Sequence, residues 1–188
     1  MSDRLYLSLW LDGQSPLLLR HRFAKILGGF PFSKLAPGID VTVRAVSNAE
    51  AALLEQSFAG PEQLADLTAA LDVWQSPDTS FEVEASWDLM VKTGDDWRLS
   101  PVRVSLIAYG PEFERERGED FRIEFGREAH FLPEGESPVS FRVIQGNIAS
   151  LLRLVKDLDQ TLAVKKRLLW SESGENFAER LAALAAST

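Results

Sequence analysis

From Phe81 to Lys92 the chain alternates without a break. Phe81, Val83, Ala85, Trp87, Leu89 and Val91 are apolar, with Glu82, Glu84, Ser86, Asp88, Met90 and Lys92 between them. Successive side chains on a strand point to opposite faces, so this period of two predicts a strand with one face in a core and one toward water. A sheet wetted on one side is characteristically antiparallel, because parallel strands are covered on both faces. The next residues agree. Thr93-Gly94-Asp95-Asp96 predicts a hairpin connection, and Val102, Val104, Leu106 and Ala108 a returning strand ended by Gly110-Pro111.

The same reading extends along the chain. Leu5, Leu7, Leu9 and Leu11 predict a first strand, and Ile39, Val41, Val43 and Ala45 a second. Phe121, Ile123 and Phe125 predict another, running more loosely to His130 and Phe131, with a further short strand over 140–144. Ser15 as N-cap and Pro16 at the first position predict a helix over 17–27, ended by Gly28-Gly29. Helices are also expected over 49–58, from Pro61 through Leu64, Leu67, Thr68 and Leu71, and over 175–186 around Phe177, Leu181 and Leu184. Asn147 reads as the N-cap of a helix carrying the stripe Ile148, Leu151, Val155, Leu158 and Leu162. Periodicity leaves 163–170 open between helix and strand. Loops fall at 30–38, 76–78, 112–120 and 133–138. Together these predict an α+β fold: a mainly antiparallel sheet with helices packed on one face, in a single compact domain, 1–188. The echo of Leu5-Tyr-Leu-Ser-Leu9 in Val102-Arg-Val-Ser-Leu106 leaves room for two related α/β halves, 1–97 and 98–188.

A chain of 188 residues buries roughly 70% of its unfolded surface and needs no staple to fold. It has no cysteine and only His21 and His130, which excludes disulfides, thiolate chemistry, zinc ribbons, iron–sulfur clusters and a histidine-rich metal site. No cofactor is expected. Residues 1–12 lack the basic start and apolar run of a secretion signal, and no apolar run approaches the roughly 20 residues of a membrane span, so a cytoplasmic protein without a membrane partner is expected. The net charge of −8 argues against nucleic acid, whose phosphates call for a basic surface.

The charge is unevenly placed. Between Arg44 and Lys92 stand Glu50, Glu55, Glu62, Asp66, Asp72, Asp78, Glu82, Glu84 and Asp88, with no lysine or arginine among them. Such a field attracts a basic protein surface and predicts a non-catalytic binding protein, of an inhibitor or immunity-like kind that masks a basic partner.

Four groups of residues are candidates for a site. With helices on the aliphatic side, the other sheet face is expected to carry Tyr6, Ser8, Trp10, Arg44, Glu82, Glu84, Asp88, Arg103, Tyr109, Arg122, Glu124, Glu128 and His130. That mixture suits a small ligand or a protein edge; the plain reading is a solvated face with charges paired across strands. Period two also places His130, Glu128 and Glu124 on one face; with Arg122 they are the residues of the alternative, a small-molecule-binding or enzymatic domain that uses the open sheet face for acid–base chemistry. Their steps of about 6.5–7 Å are too long for a direct hydrogen bond, and a surface histidine is the expectation for His130 as for His21. Glu82 and Glu84 on one strand face, and Glu112, Glu114, Glu116, Glu119 and Asp120 in the next loop, are the carboxylates a hard cation could use, but the loop, interrupted by Arg115 and Arg117, reads as a solvated charge run and not a metal site. The helix from Asn147 is expected to pack on its own sheet, and Lys165-Lys166-Arg167 to offset the acidic middle. No G-x-S-x-G, G-x-G-x-x-G or Walker lysine is present. Self-association through the open face is the third reading.

Overall fold

The computed structural model describes residues 3–132, 138–172, 177 and 179–181. Its elements run β1 (Arg4–Leu11), α1 (Pro16–Gly29), β2 (Ile39–Ala45), β3 (Leu54–Phe58), a 3-10 turn (Pro61–Gln63), α2 (Leu64–Leu71), β4 (Thr79–Thr93), β5 (Asp96–Tyr109), β6 (Phe121–Arg127), a 3-10 turn (Glu128–His130), α3 (Pro138–Thr161) and β7 (Val164–Ser171). The strands form one seven-stranded sheet in the order β3-β2-β4-β5-β6-β1-β7, with every neighbouring pair antiparallel. This is the α+β arrangement that the alternation predicts.

Each element follows from local chemistry. The β4–β5 hairpin turns on Gly94 and Asp95 between the paired Thr93 and Asp96. Gly94 has a φ of 64°, the positive φ that the first position of a type II′ turn needs. Helix α1 starts where expected: Ser15 Oγ accepts from the Leu18 N–H at 3.2 Å, and Pro16 takes the first position. The helix runs through both glycines and ends at Phe30. The apolar parity of the strands meets the helices in one core. Phe23 of α1 stacks on Phe81 of β4 and Phe121 of β6, at 6.3 Å from each. Trp87 lies among Phe30, Phe125 and Phe131, at 5.8–6.0 Å. Leu151 and Leu158 of α3 join the same core, so α3 packs on its own sheet.

Four expectations are corrected. Residues 54–58 form strand β3, not a helix, because Leu54 to Phe58 pair with Val43 to Ile39 of β2. Residues 140–144 belong to α3 and not to a strand. Asn147 therefore lies inside that helix and is no cap; it is buried, and its side chain reaches back to β4. Glu128 and His130 do not continue the face of β6. The β1–β6 register shifts between Arg4 and Tyr6, where Gly126 takes a φ of 81°. A bulge inserts a residue and ends the alternation, and the chain enters a 3-10 turn. Of residues 163–170, left open, 164–170 lie in strand β7, which pairs with β1. Phe177 and Glu179 to Leu181 are helical; the rest of the helix expected over 175–186, and the turn at 133–137, lie outside the described residues.

Candidate functional site

Two cross-strand rows define the centre of the open face. One reads Thr42, Glu82, Ile107, Arg122, Ser8 and Leu168 from β2 to β7; the next reads Asp40, Glu84, Ser105, Glu124, Tyr6 and Trp170. Seven of the expected open-face residues thus share two adjacent rows or their flanks: Tyr6, Ser8, Glu82, Glu84, Arg103, Arg122 and Glu124. Charges pair across strands, Arg44 with Glu82 at 3.2 Å, Arg103 with Glu84 at 2.7 Å and Arg4 with Glu124 at 3.7 Å.

The face is not uniformly wet. Tyr6, Ser8 and Tyr109 are buried, contrary to expectation. At the β1–β7 end the Tyr6 ring stacks on Trp170 at 4.4 Å, its hydroxyl donates to Glu172 at 3.0 Å, and Trp170 Nε1 donates to Ser8 Oγ at 3.1 Å. The 112–120 loop supplies the rest of the cover. Its outer acids Glu112, Glu114 and Glu116 are exposed, but Phe113 packs on Tyr109 and the Arg117 guanidinium lies 4.0 Å over Trp170. Glu119, fully buried, accepts from Arg122 Nε at 2.6 Å, and Asp120 accepts from the Leu11 N–H at 2.7 Å. The Arg115 and Arg122 guanidinium groups stand 6.0 and 5.8 Å from the Tyr109 ring. The run that reads as solvated is half structural.

Burial sets the protonation of this face. It raises the Glu82 carboxyl above its usual range, and repulsion from Glu84 adds to it against the pull of Arg44. Glu124 is raised in the same way, by burial first, with Glu82 and Glu172 opposing its charge and Arg122 and Arg4 favouring it. Tyr6 is pushed up to about 12 by burial and by its bond to Glu172; burial raises Tyr109 as well.

Two depressions among the described residues lie on this face. One, of about 400 Å³, lies between Ser47, Asn48, Tyr109, Arg115 and Arg122. The other is a groove of about 880 Å³ lined by Arg4, Glu84, Arg103, Ser105, Glu124, Gly126, Arg127 and Glu172.

The remaining predicted residues are scattered. Asp88 ties down the 30–38 loop, accepting from Ser33 Oγ and from the Lys34 N–H at 2.8 Å. Trp10 carries Lys166 4.5 Å over its ring. Glu128 is buried and bonded to Arg180. His130 is half-buried in its turn, and burial and then the charge of Arg127 lower its pKa. The acid–base group expected from Glu124, Glu128 and His130 is therefore not assembled. Lys165 and Arg167 pair with Asp12 and Asp159, outside the acidic middle they were expected to offset.

The acids of the base-free stretch divide into two sets. Asp72 pairs with Arg20, Glu82 with Arg44 and Glu84 with Arg103, while Asp78 bonds Ser76 and Asp88 holds the loop. Glu50, Glu55, Glu62 and Asp66 are exposed and make no ion pair among the described residues. They occupy the β2–β3 loop, β3, the 3-10 turn after it and the first turn of α2. Sequence reasoning missed Arg127, Glu172 and Trp170 as parts of the face; Gly126, a glycine inside an alternating run, is the one signal that the parity changes there.

Among the described residues no group of three or more histidine, aspartate and glutamate side chains is gathered as a metal would require, and no helix is long and apolar enough to cross a membrane. No family model, no curated protein and no solved structure matches the chain.

Proposed function

We propose that the protein is a binding protein of inhibitor or immunity-like kind, engaging a basic protein partner at its acidic β3 edge. One observation carries this reading: of the nine acids in the base-free stretch, the four that make neither an ion pair nor a side-chain hydrogen bond among the described residues, Glu50, Glu55, Glu62 and Asp66, follow one another from the β2–β3 loop through terminal strand β3 to the first turn of α2. Their field speeds the encounter with a basic surface and disfavours acidic ones. Strand β3 is also a terminal strand, so its outer backbone groups offer a template to an extended segment of the partner. Glu128 is bonded to Arg180 and Glu124 to Arg4, and neither is bonded to His130, which favours binding over acid–base catalysis.

Site-specific photo-crosslinking tests the location. A photoreactive residue at position 55 is expected to trap a partner of basic pI, whereas one at position 168, across the sheet on β7, traps none. Trapping at 168 and not at 55 would move the interface off the acidic edge.

A further inference from the structure

The 880 Å³ groove carries its charges in two ordered rows. Arg4 of β1 stands directly opposite Arg127 of β6. Arg103 of β5 is next in line: a Cβ built on Gly126 would lie 3.4 Å from the Arg103 carbonyl oxygen and 3.1 Å from Val102 Cγ1. Three arginines thus span β5, β6 and β1, and the bulge at Gly126 brings Arg127 into the row. The row beside it, two residues along β5 and β1 and three along the bulged β6, holds Glu84, Ser105 and Glu124, with Glu172 bonded to the hydroxyl of Tyr6.

Like charges directly opposite across a strand pair are unfavourable. Arg4 leans away to Glu124 and Arg103 to Glu84, but Arg127 makes no ion pair among the described residues. Its charge is felt nearby, helping to lower the pKa of His130. A planar oxyanion would relieve the row, since guanidinium groups take carboxylates in two-point contacts. The carboxylate row beside it suits an ammonium. The Arg103–Glu84 pair is solvent-facing, so a ligand exchanges with it at little cost.

The spacing selects the ligand. Two residues along a strand separate the rows by about 6.5–7 Å, and an extended dipeptide sets its terminal charges about 7 Å apart. We propose that this groove binds a free dipeptide, its carboxylate on Arg127 between Arg103 and Arg4 and its ammonium on Glu124. The site is separate from the acidic β3 edge and does not rest on the partner proposed there.

NMR titration of the intact chain with Ala-Ala, N-acetyl-Ala-Ala, Ala-Ala-amide and alanine tests this without altering the protein. Ala-Ala is expected to shift the amides of Arg103, Ser105 and Arg127, and either cap, or shortening to alanine, to weaken binding about tenfold or more. Arg127→Ala, which breaks no ion pair, is expected to weaken Ala-Ala by a similar factor while leaving shifts remote from the groove in place. No shift of groove amides at about 10 mM Ala-Ala, or equal binding of the capped peptides, overturns the proposal. Loss of binding on amidation alone would make this a simple anion site and overturn it too.

Discussion

Asn147 lies beside Met90 as a further strand would. Its Oδ1 accepts from the Met90 N–H and its Nδ2 donates to the Met90 carbonyl, both at 2.9 Å, and Nδ2 also donates to the His130 carbonyl at 2.8 Å. One buried side chain thus joins α3, β4 and the turn after β6. Asn147→Ala leaves these backbone groups without their partner and is expected to cost about 2–4 kcal/mol in denaturant unfolding. Asn147→Asp sets a carboxylate against two carbonyls, so its deficit should exceed that of Asn147→Ala at neutral pH and shrink in acid.

Trp87, 4% exposed, is packed against three phenylalanine rings on the apolar parity of β4. Trp87→Ala is expected to destabilise by about 3–5 kcal/mol. A near-native thermal midpoint would place the tryptophan on the wrong face of the sheet.

Much of the fold is legible because β1, β2, β4, the second half of β5 and β6 as far as Phe125 each carry a regular apolar parity, and parity is a local property. The failures occur where a neighbour decides. Leu54 and Phe58 stand four apart, as on a helix, and only pairing with β2 makes them a strand. Gly126 breaks the alternation of β6 through backbone geometry, which removed Glu128 and His130 from the face to which counting by twos had assigned them. The face itself was legible as a set of residues, but strand order decides who meets whom: Arg4 and Arg127, or Tyr6 and Trp170, are neighbours only because β1 lies between β6 and β7. The cover from 112–120 was illegible, since alternating glutamate and arginine looks the same in water and across a ring.

Val46 carries a φ of 70°, held there by its N–H to the Asp78 carbonyl and its carbonyl from the Glu114 N–H, both at 2.8 Å. A β-branched residue is strained in this region, by roughly 1–2 kcal/mol for an ordinary side chain. The side chain is exposed. Val46→Gly relieves the strain and loses little burial, and is expected to stabilise by about 1 kcal/mol after the entropic cost of glycine. Chemical denaturation of the two proteins measures the difference.

Glu124 has a direct pH signature. Its carboxyl holds its proton more tightly in the folded chain than the ordinary 4.5. Between that value and the raised one the folded state binds more protons than the unfolded, so the group's favourable contribution is present in acid and lost as pH rises through the folded pKa. Glu124→Gln keeps the neutral form at every pH. The variant is expected to melt higher than the parent at pH 7, with the gap closing below about pH 4.5.

The central claim concerns the charge left on the β3 edge, and association kinetics with the crosslinked partner test it most directly. The on-rate is expected to fall steeply with added salt, and to drop about tenfold or more in the Glu55→Lys, Glu62→Lys, Asp66→Lys variant at low salt. Reversing Asp95 and Asp96 at the tip of the β4–β5 hairpin should change it far less. An on-rate indifferent to both salt and the β3-edge reversals would contradict the account.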